Sequence, residues 1–259
     1  MTSSEETFVP IIIRRGNFIS IARAAYRDKG SYYLLRILPK YLMEGCFKTV
    51  PNKVTSWYYK FFKSPETFEF QGKLYHYLFH QYCTTWRNER DAVIPIIWDI
   101  LKRYEERRKN ILEVGNVLSY YFRINHDVLD KYEIMDGVIN EDVVDFKPSK
   151  HYDLIVSIMT LEQVGFGENP PEATKFLRAI ENLKQLLVPD GQLIVAHGLG
   201  YNNEMDKSLK NGTVHLRKQY YLKRIKDYKW QQVSSEDVIN VKYDESVPTA
   251  NAVMIGIIE

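Results

Sequence analysis

Apolar residues gather along this chain in short runs, and the three clearest lie after residue 108. Ile111-Leu112-Glu113-Val114 ends in Gly115, so a buried strand is predicted to break into a tight turn there. Tyr152-Asp153-Leu154-Ile155-Val156-Ser157 follows about forty residues later, and Gly191-Gln192-Leu193-Ile194-Val195-Ala196 follows in turn. Between the last two, Phe176, Leu177, Ile180, Leu183, Leu186 and Leu187 recur at helical spacing, which predicts one helix from Pro171 to Leu187. Pro189-Asp190-Gly191 is read as its stop signal. Short apolar runs alternating with polar or helical segments predict a parallel sheet with crossover connections. Such sheets bind ligands just beyond the carboxyl ends of their strands. The residues immediately after each run are therefore the ones to inspect.

The rest of the chain is organised around that core. His126 to Asp130 is a second predicted strand and Gly137 to Asn140 a weaker third. Trp230 to Val233 and Ala252 to Ile258 are expected to form an antiparallel pair at the sheet edge. Phe68-Glu69-Phe70 before Gln71-Gly72 suggests a hairpin, and Asp91 to Arg107 a helix. These elements divide the chain into a basic aromatic extension with a connecting region, residues 1–107, and an α/β core, residues 108–259.

Composition narrows the class without choosing a function. Of 259 residues, 45% are apolar and 26% charged, ordinary for a globular protein. The two cysteines, Cys46 and Cys83, form no CxxC pair, which argues against a disulfide framework or zinc ribbon. No run approaches the roughly 18 apolar residues of a membrane span, and Met1-Thr2-Ser3-Ser4-Glu5-Glu6 does not resemble a signal peptide. A cytoplasmic protein is expected. The net charge of +2 hides an asymmetry: residues 11–63 hold eleven Lys or Arg against Asp28 and Glu44, a local charge of +9. Tyr32, Tyr33, Trp57, Tyr58 and Tyr59 are among the aromatics interleaved with them. Such a segment can lie on an anionic membrane surface, or can cap the core with its lysines solvated. No recognised nucleic-acid motif accompanies it.

The strand ends carry an unusual set of acids. Glu113 is placed to meet an ammonium group, and Gly115 lets backbone approach a ligand closely. Asn116 and Ser119 in the same loop can add polar contacts. Asp130 is placed to accept ribose hydroxyls. Asp142 could take the exocyclic amine of adenine, and Ser157 to Glu162 would lie over the reactive centre. Together they make a cup for an adenosine bearing a cationic amino acid. His197, directly after Leu-Ile-Val-Ala, would point to the cleft mouth as a candidate base, or satisfy a backbone group. Glu162 is the other candidate base, or else a helix cap or cofactor contact. Tyr201 and Asn202 could hold a polar acceptor or merely form a turn, and Arg87, Asn88 and Arg90 could contact an anionic substrate or open a helix. His76, His80 and Cys83 share a helical face but not a strand face, and no metal site is expected from them. A nicotinamide enzyme is disfavoured because GxGxxG is absent.

This order of residues resembles the class I S-adenosylmethionine-dependent methyltransferases. Glu113-Val114-Gly115 matches their first motif, Asp130 the ribose-binding acid and Asn140-Glu141-Asp142 the adenine-side motif. Tyr152 to Ser157 matches the fourth strand, and Leu161-Glu162-Gln163-Val164 the segment after it. Leu187-Val188-Pro189-Asp190-Gly191-Gln192-Leu193-Ile194-Val195 matches the passage into the fifth. More narrowly, Thr85 to Arg90 and Gly198 to Asn202 resemble methyltransferase-like proteins of surface-glycan clusters. The resemblance implies a Rossmann-like sheet with helices on both faces and S-adenosylmethionine as cofactor. It further implies methyl transfer to an oxygen, less readily a nitrogen, of a small-molecule or glycan acceptor. The chain departs from the family at its single Gly115, where two or three glycines are usual, and at Gln163, where many members carry histidine. Asp130 comes only fifteen residues past Gly115, little room for a full first helix. These departures favour the competing reading, a catalytically inactive methyltransferase-like scaffold.

Overall fold

The computed structural model describes residues 66–258 apart from 81, 167, 169, 226–228 and 245–248. The basic extension of residues 11–63 lies outside the described residues. Residues Phe62–Glu259 form one compact unit.

An eight-stranded sheet organises it. The strands are β3 (Ile111–Val114), β4 (Asp127–Leu129), β5 (Val138–Ile139), β6 (Tyr152–Ile158), β7 (Leu187–Gly198), β8 (Leu216–Arg224), β9 (Trp230–Val233) and β10 (Ala252–Ile258). Ahead of them β1 (Thr67–Phe70) and β2 (Lys73–His76) make the expected hairpin, with Gln71 and Gly72 both at positive φ in its turn. The sheet order is β5-β4-β3-β6-β7-β10-β8-β9. The first five are parallel, while β10 runs antiparallel to both β7 and β8. The chain steps outward from β3 to β5, then returns to β6 on the other side of β3. That reversal opens a crevice beyond the carboxyl ends of β3 and β6.

Alternation along each strand feeds two cores. On one face Ile111, Leu154, Val156, Ile194 and Ala196 pack with Ile94, Ile97 and Leu101 of α1 (Arg90–Glu106) and with Phe68 and Phe70 of the hairpin. On the other, Leu112, Val114, Ile155, Leu193 and Val195 pack with Phe176, Ala179, Ile180 and Leu183 of α2 (Lys175–Gln185) and Met205 of α3 (Asn203–Lys210). Period-2 strands that bury both faces read as continuous apolar runs, the pattern seen in the sequence. The architecture is the Rossmann-like sheet with helices on both faces that the resemblance implies. Among the described residues no helix is long and apolar enough to cross a membrane.

Three expectations need correction. Helix α2 begins at Lys175 rather than Pro171 and is over by Leu186, so Pro189-Asp190-Gly191 does not stop it. Those residues sit inside β7, where Asp190 takes φ 65° and the register with β6 slips between Tyr152 and Leu154. The last two strands do not pair with each other, and β10 is interior to the sheet. Strand β8, unpredicted, separates them. Its sequence Leu-Arg-Lys-Gln-Tyr-Tyr-Leu-Lys-Arg buries only Leu222, so it carries no apolar alternation to reveal it.

Candidate functional site

The turn after β3 is built by the acid that precedes it. Glu113 is fully buried, and its Oε1 accepts from the Val117 and Leu118 amides at 2.8 and 2.7 Å. Its Oε2 meets His126 Nε2 at 2.9 Å. The carboxylate therefore shapes the loop from beneath; it does not face a ligand's ammonium. Only a single 3-10 turn, Leu118–Tyr120, stands where a full helix would otherwise open. Gly115 adopts φ +86°, and a Cβ there would lie 2.0 Å from Thr160 Oγ1. Glycine is needed for both reasons: the left-handed backbone and the close approach of the loop after β6.

Asp130 closes the other side of this turn. Its Oδ2 accepts from Asn116 N at 3.1 Å, and its Oδ1 from Tyr132 N and Glu133 N at 2.9 and 2.8 Å. A carboxylate offers about four lone-pair sites, so roughly one remains open. Asn116 Nδ2 is buried without a hydrogen-bond partner, while its Oδ1 accepts from Ser119 Oγ. An orphaned donor beside a part-filled acceptor fits a ligand presenting hydroxyls or ring nitrogens.

Asp142 is occupied. Lys131 and Lys175 reach its Oδ2 at 2.7 and 2.6 Å, and both also bind Glu168 from the loop after β6. Burial would raise the Asp142 pKa, but the two lysines outweigh it and hold the carboxyl down at about 2. An adenine amine would have to compete with two ammonium groups for this acid.

At the carboxyl ends of β6 and β7 lies a buried charge chain. Ser157 is fully buried, its Oγ accepting from Leu161 N at 3.2 Å, so it caps the next turn. Met159 follows at φ 51°, a strained non-glycine conformation of the kind that gathers at functional sites. Gln163 donates to Met159 O at 2.7 Å. Glu162 is buried and accepts from Gly198 N at 3.3 Å through Oε1, with Oε2 3.2 Å from His197 Nδ1. His197 Nε2 in turn lies 2.6 Å from Asp206 Oδ1. The expectation that His197 points to the cleft mouth is corrected: its ring has no exposure and is flanked by carboxylates. Burial alone would lower its pKa, but Glu162 and Asp206 raise it to about 9. At neutral pH the ring is an imidazolium with no lone pair to act as base.

The remaining candidates divide. Asn202 caps α3, accepting from Glu204 N and Met205 N at 3.1 Å and donating to Glu162 O at 2.8 Å; it is buried and its oxygen is filled by the cap. Tyr201 is half-buried between Phe166 and Tyr243, with ring centroids 5.5 and 5.2 Å away. Asn88 forms a turn, bonding Cys83 O and Arg90 N. The side chain of Arg87 lies outside the described residues. Arg90 Nη1 is buried without a hydrogen-bond partner. Among the described residues, no group of three His, Cys, Asp or Glu could hold a metal ion.

No sequence signal singled out His126, Lys131, Lys175, Asp206 or Tyr243. Thr160 lies within the Ser157 to Glu162 segment expected over the reactive centre, two residues beyond the end of β6.

No protein-family model and no curated relative matches the chain. Solved structures do. The chain is similar to the N-methyltransferase NodS from Bradyrhizobium japonicum WM9 in complex with S-adenosylhomocysteine, at 14% identity and TM-score 0.39, over 67% of this chain and 90% of that one. It is similar to a TehB-like SAM-dependent methyltransferase from Corynebacterium glutamicum, at 18% identity and TM-score 0.36, over 64% and 95% of the two chains. A third is a SAM-dependent methyltransferase, possible histamine N-methyltransferase, from Thermotoga maritima, at 14% and 0.34, over 62% and 100%.

Proposed function

We propose that this chain transfers a methyl group from S-adenosylmethionine to an oxygen, with nitrogen as second choice, of a small-molecule or glycan acceptor. The observation that carries this reading is the turn between β3 and β4. Gly115 packs directly against the Thr160 side chain, Asp130 keeps an open lone pair, and the Asn116 amide is left without a partner. Asp130 and Asn116 would hold the nucleoside, with Gly115 allowing backbone contact. Bound there, the cofactor supplies a methyl group on a sulfonium. Methyl transfer is an in-line displacement, and what the chain contributes is positioning and exclusion of water. Neither His197, protonated, nor Glu162, engaged by Gly198 N and His197, is free to remove the acceptor's proton. The glycan acceptor rests on the resemblance of Thr85–Arg90 and Gly198–Asn202. Cytoplasmic residence rests on the two cysteines, which form no CxxC pair, and peripheral membrane contact by residues 11–63 on their charge and aromatic content; salt-sensitive liposome binding tests that contact.

A second reading has specific support. Asp130 already accepts three amides, Asp142 is held by two lysines, and no full helix follows β3. A methyltransferase-like module without catalysis would keep just these features. Calorimetric titration with S-adenosylhomocysteine separates the two. Micromolar binding that Asp130→Ala abolishes supports the enzyme; no binding supports the scaffold.

A further inference from the structure

The carboxyl ends of β3 and β4 carry the nucleoside cup, which leaves the ends of β6 and β7 on the other side of the crevice. Three rings converge there from three separate loops: Phe166 after β6, Tyr201 after β7 and Tyr243 after β9. Their arrangement is fixed by backbone packing. Gly200 adopts φ +84°, and a Cβ on it would lie 2.7 Å from Tyr243 N, so the loop after β7 is pressed onto the segment bearing Tyr243. Asp206 Oδ2 accepts from Gly200 N at 2.8 Å and locks that loop. The rings are tilted, 52° between Phe166 and Tyr201 and 67° between Tyr201 and Tyr243, so neither pair is stacked face to face. Phe166 stays 39% exposed.

A negative charge lies beside this aromatic wall. Glu162 and Asp206 flank one imidazolium, which leaves the trio with one net negative charge. Glu162 Oε2 is buried and makes no hydrogen bond, only its ion pair with His197. Its field reaches both phenols: burial and then Glu162 push Tyr201 up to about 12, and Tyr243 moves in the same direction. At Tyr243 burial acts most strongly, then Glu89, Tyr201 and Glu162 in that order, with Arg90 opposing them least. Aromatic faces attract cations, and the attraction grows in a desolvated site next to a fixed anion.

We propose that Phe166, Tyr201 and Tyr243, backed by Glu162, form the acceptor subsite and select an acceptor carrying a substituted ammonium group. The acceptor role rests on the methyltransferase reading; the ammonium site itself does not. The ammonium is a recognition handle. It has no lone pair, so the attacking oxygen or nitrogen is a separate atom of the same molecule.

Choline and its uncharged isostere 3,3-dimethylbutan-1-ol test this directly, because they match in shape and differ in charge. Each is titrated calorimetrically into the full chain, alongside a separate titration with S-adenosylhomocysteine. Choline is expected to bind at least about tenfold more tightly than the alcohol, the factor a cation–aromatic contact of about 1.4 kcal/mol gives. Phe166→Leu, at a half-exposed position that leaves the fold intact, should weaken choline several-fold, and Tyr201→Phe should not, since the ring face and not the hydroxyl makes the contact. Equal binding of the two probes, no choline binding at millimolar concentration, or indifference to Phe166→Leu would overturn the proposal. If S-adenosylhomocysteine binds and choline does not, the acceptor inference alone fails. If choline binds selectively and S-adenosylhomocysteine does not, the ammonium site stands and the methyltransferase reading falls.

Discussion

His197 Nε2 stands 2.6 Å from Asp206 Oδ1 in a ring that reaches no solvent. The pair ties β7 to α3, and Glu162 on the opposite ring nitrogen ties both to the turn after β6. The folded-state pKa of about 9 is above the ordinary histidine value of 6.5. A raised value means that the stabilisation is fully present below about pH 6.5 and is lost as pH rises through 9. Urea denaturation across pH 6 to 10 should therefore show stability declining through that window, and His197→Gln should flatten the decline. Asp206→Asn removes a charge-assisted hydrogen bond, a contribution of roughly 1.5–3 kcal/mol, while Glu162 still pairs with the ring, so the midpoint should fall by that smaller amount. A midpoint that does not move would remove the charge chain from the account.

Glu113→Gln should loosen the turn after β3. The substitution leaves a neutral amide to serve Val117 N, Leu118 N and His126 at once. Hydrogen bonds to a charged acceptor contribute about 1.5–3 kcal/mol each when made within a fold. Hydrogen exchange should quicken at residues 117 and 118 before it changes in β6. Uniform change across the sheet would show that Glu113 stabilises the whole fold and not this loop.

Gly115→Ala should damage the same turn from the other side. A Cβ cannot sit 2.0 Å from Thr160 Oγ1, and the left-handed backbone adds its own penalty of about 1 kcal/mol or more. Overpacking of this kind costs roughly 1–3 kcal/mol. Thr160→Gly, made in the Gly115→Ala background, should recover the steric part of the loss and leave the backbone part. Melting temperatures of the two single variants and the double variant give that coupling. Simple additivity would show that the two residues do not meet.

Acid should act on Asp142. Its folded pKa of about 2 lies below the ordinary carboxyl value, so its contribution is present above about pH 4 and is lost as pH falls through 2. That contribution is on the order of 2 kcal/mol at neutral pH. Lys175→Met should remove part of it, because Lys175 Nζ lies 2.6 Å from Asp142 and is itself buried. Denaturation midpoints of the wild type and this variant should converge as pH drops from 4 to 2. Parallel curves would contradict the pairing.

Much of the sheet was legible because its strands bury both faces. Ile111–Val114, Tyr152–Ile158 and Leu193–Ala196 stand out as apolar runs whatever surrounds them. Strand β8 was illegible for the converse reason: only Leu222 is fully buried, and Leu216 and Tyr220, which also pack on the cores, fall in no apolar alternation. Pro189-Asp190-Gly191 misled because the same residues that stop a helix also bend a strand. At the site, the positions of Gly115 and Asp130 followed from strand ends. The partners of the charged residues did not. His197 meets Asp206 nine positions later, but Glu162 thirty-five before, and such distances leave no local pattern. An acid at a strand end reads as a ligand contact until the structure shows its oxygens already taken, as at Glu113 and Asp142.

Hydrogen exchange with and without S-adenosylhomocysteine is the decisive measurement, since it reads where the ligand binds as well as whether it does. Added protection is expected at residues 115–119 and 130–133, where Asn116 and Asp130 meet. Asp130→Ala should abolish it. No protection anywhere, or protection confined to the cleft lined by Leu177, Lys184 and His215, would contradict the methyltransferase reading.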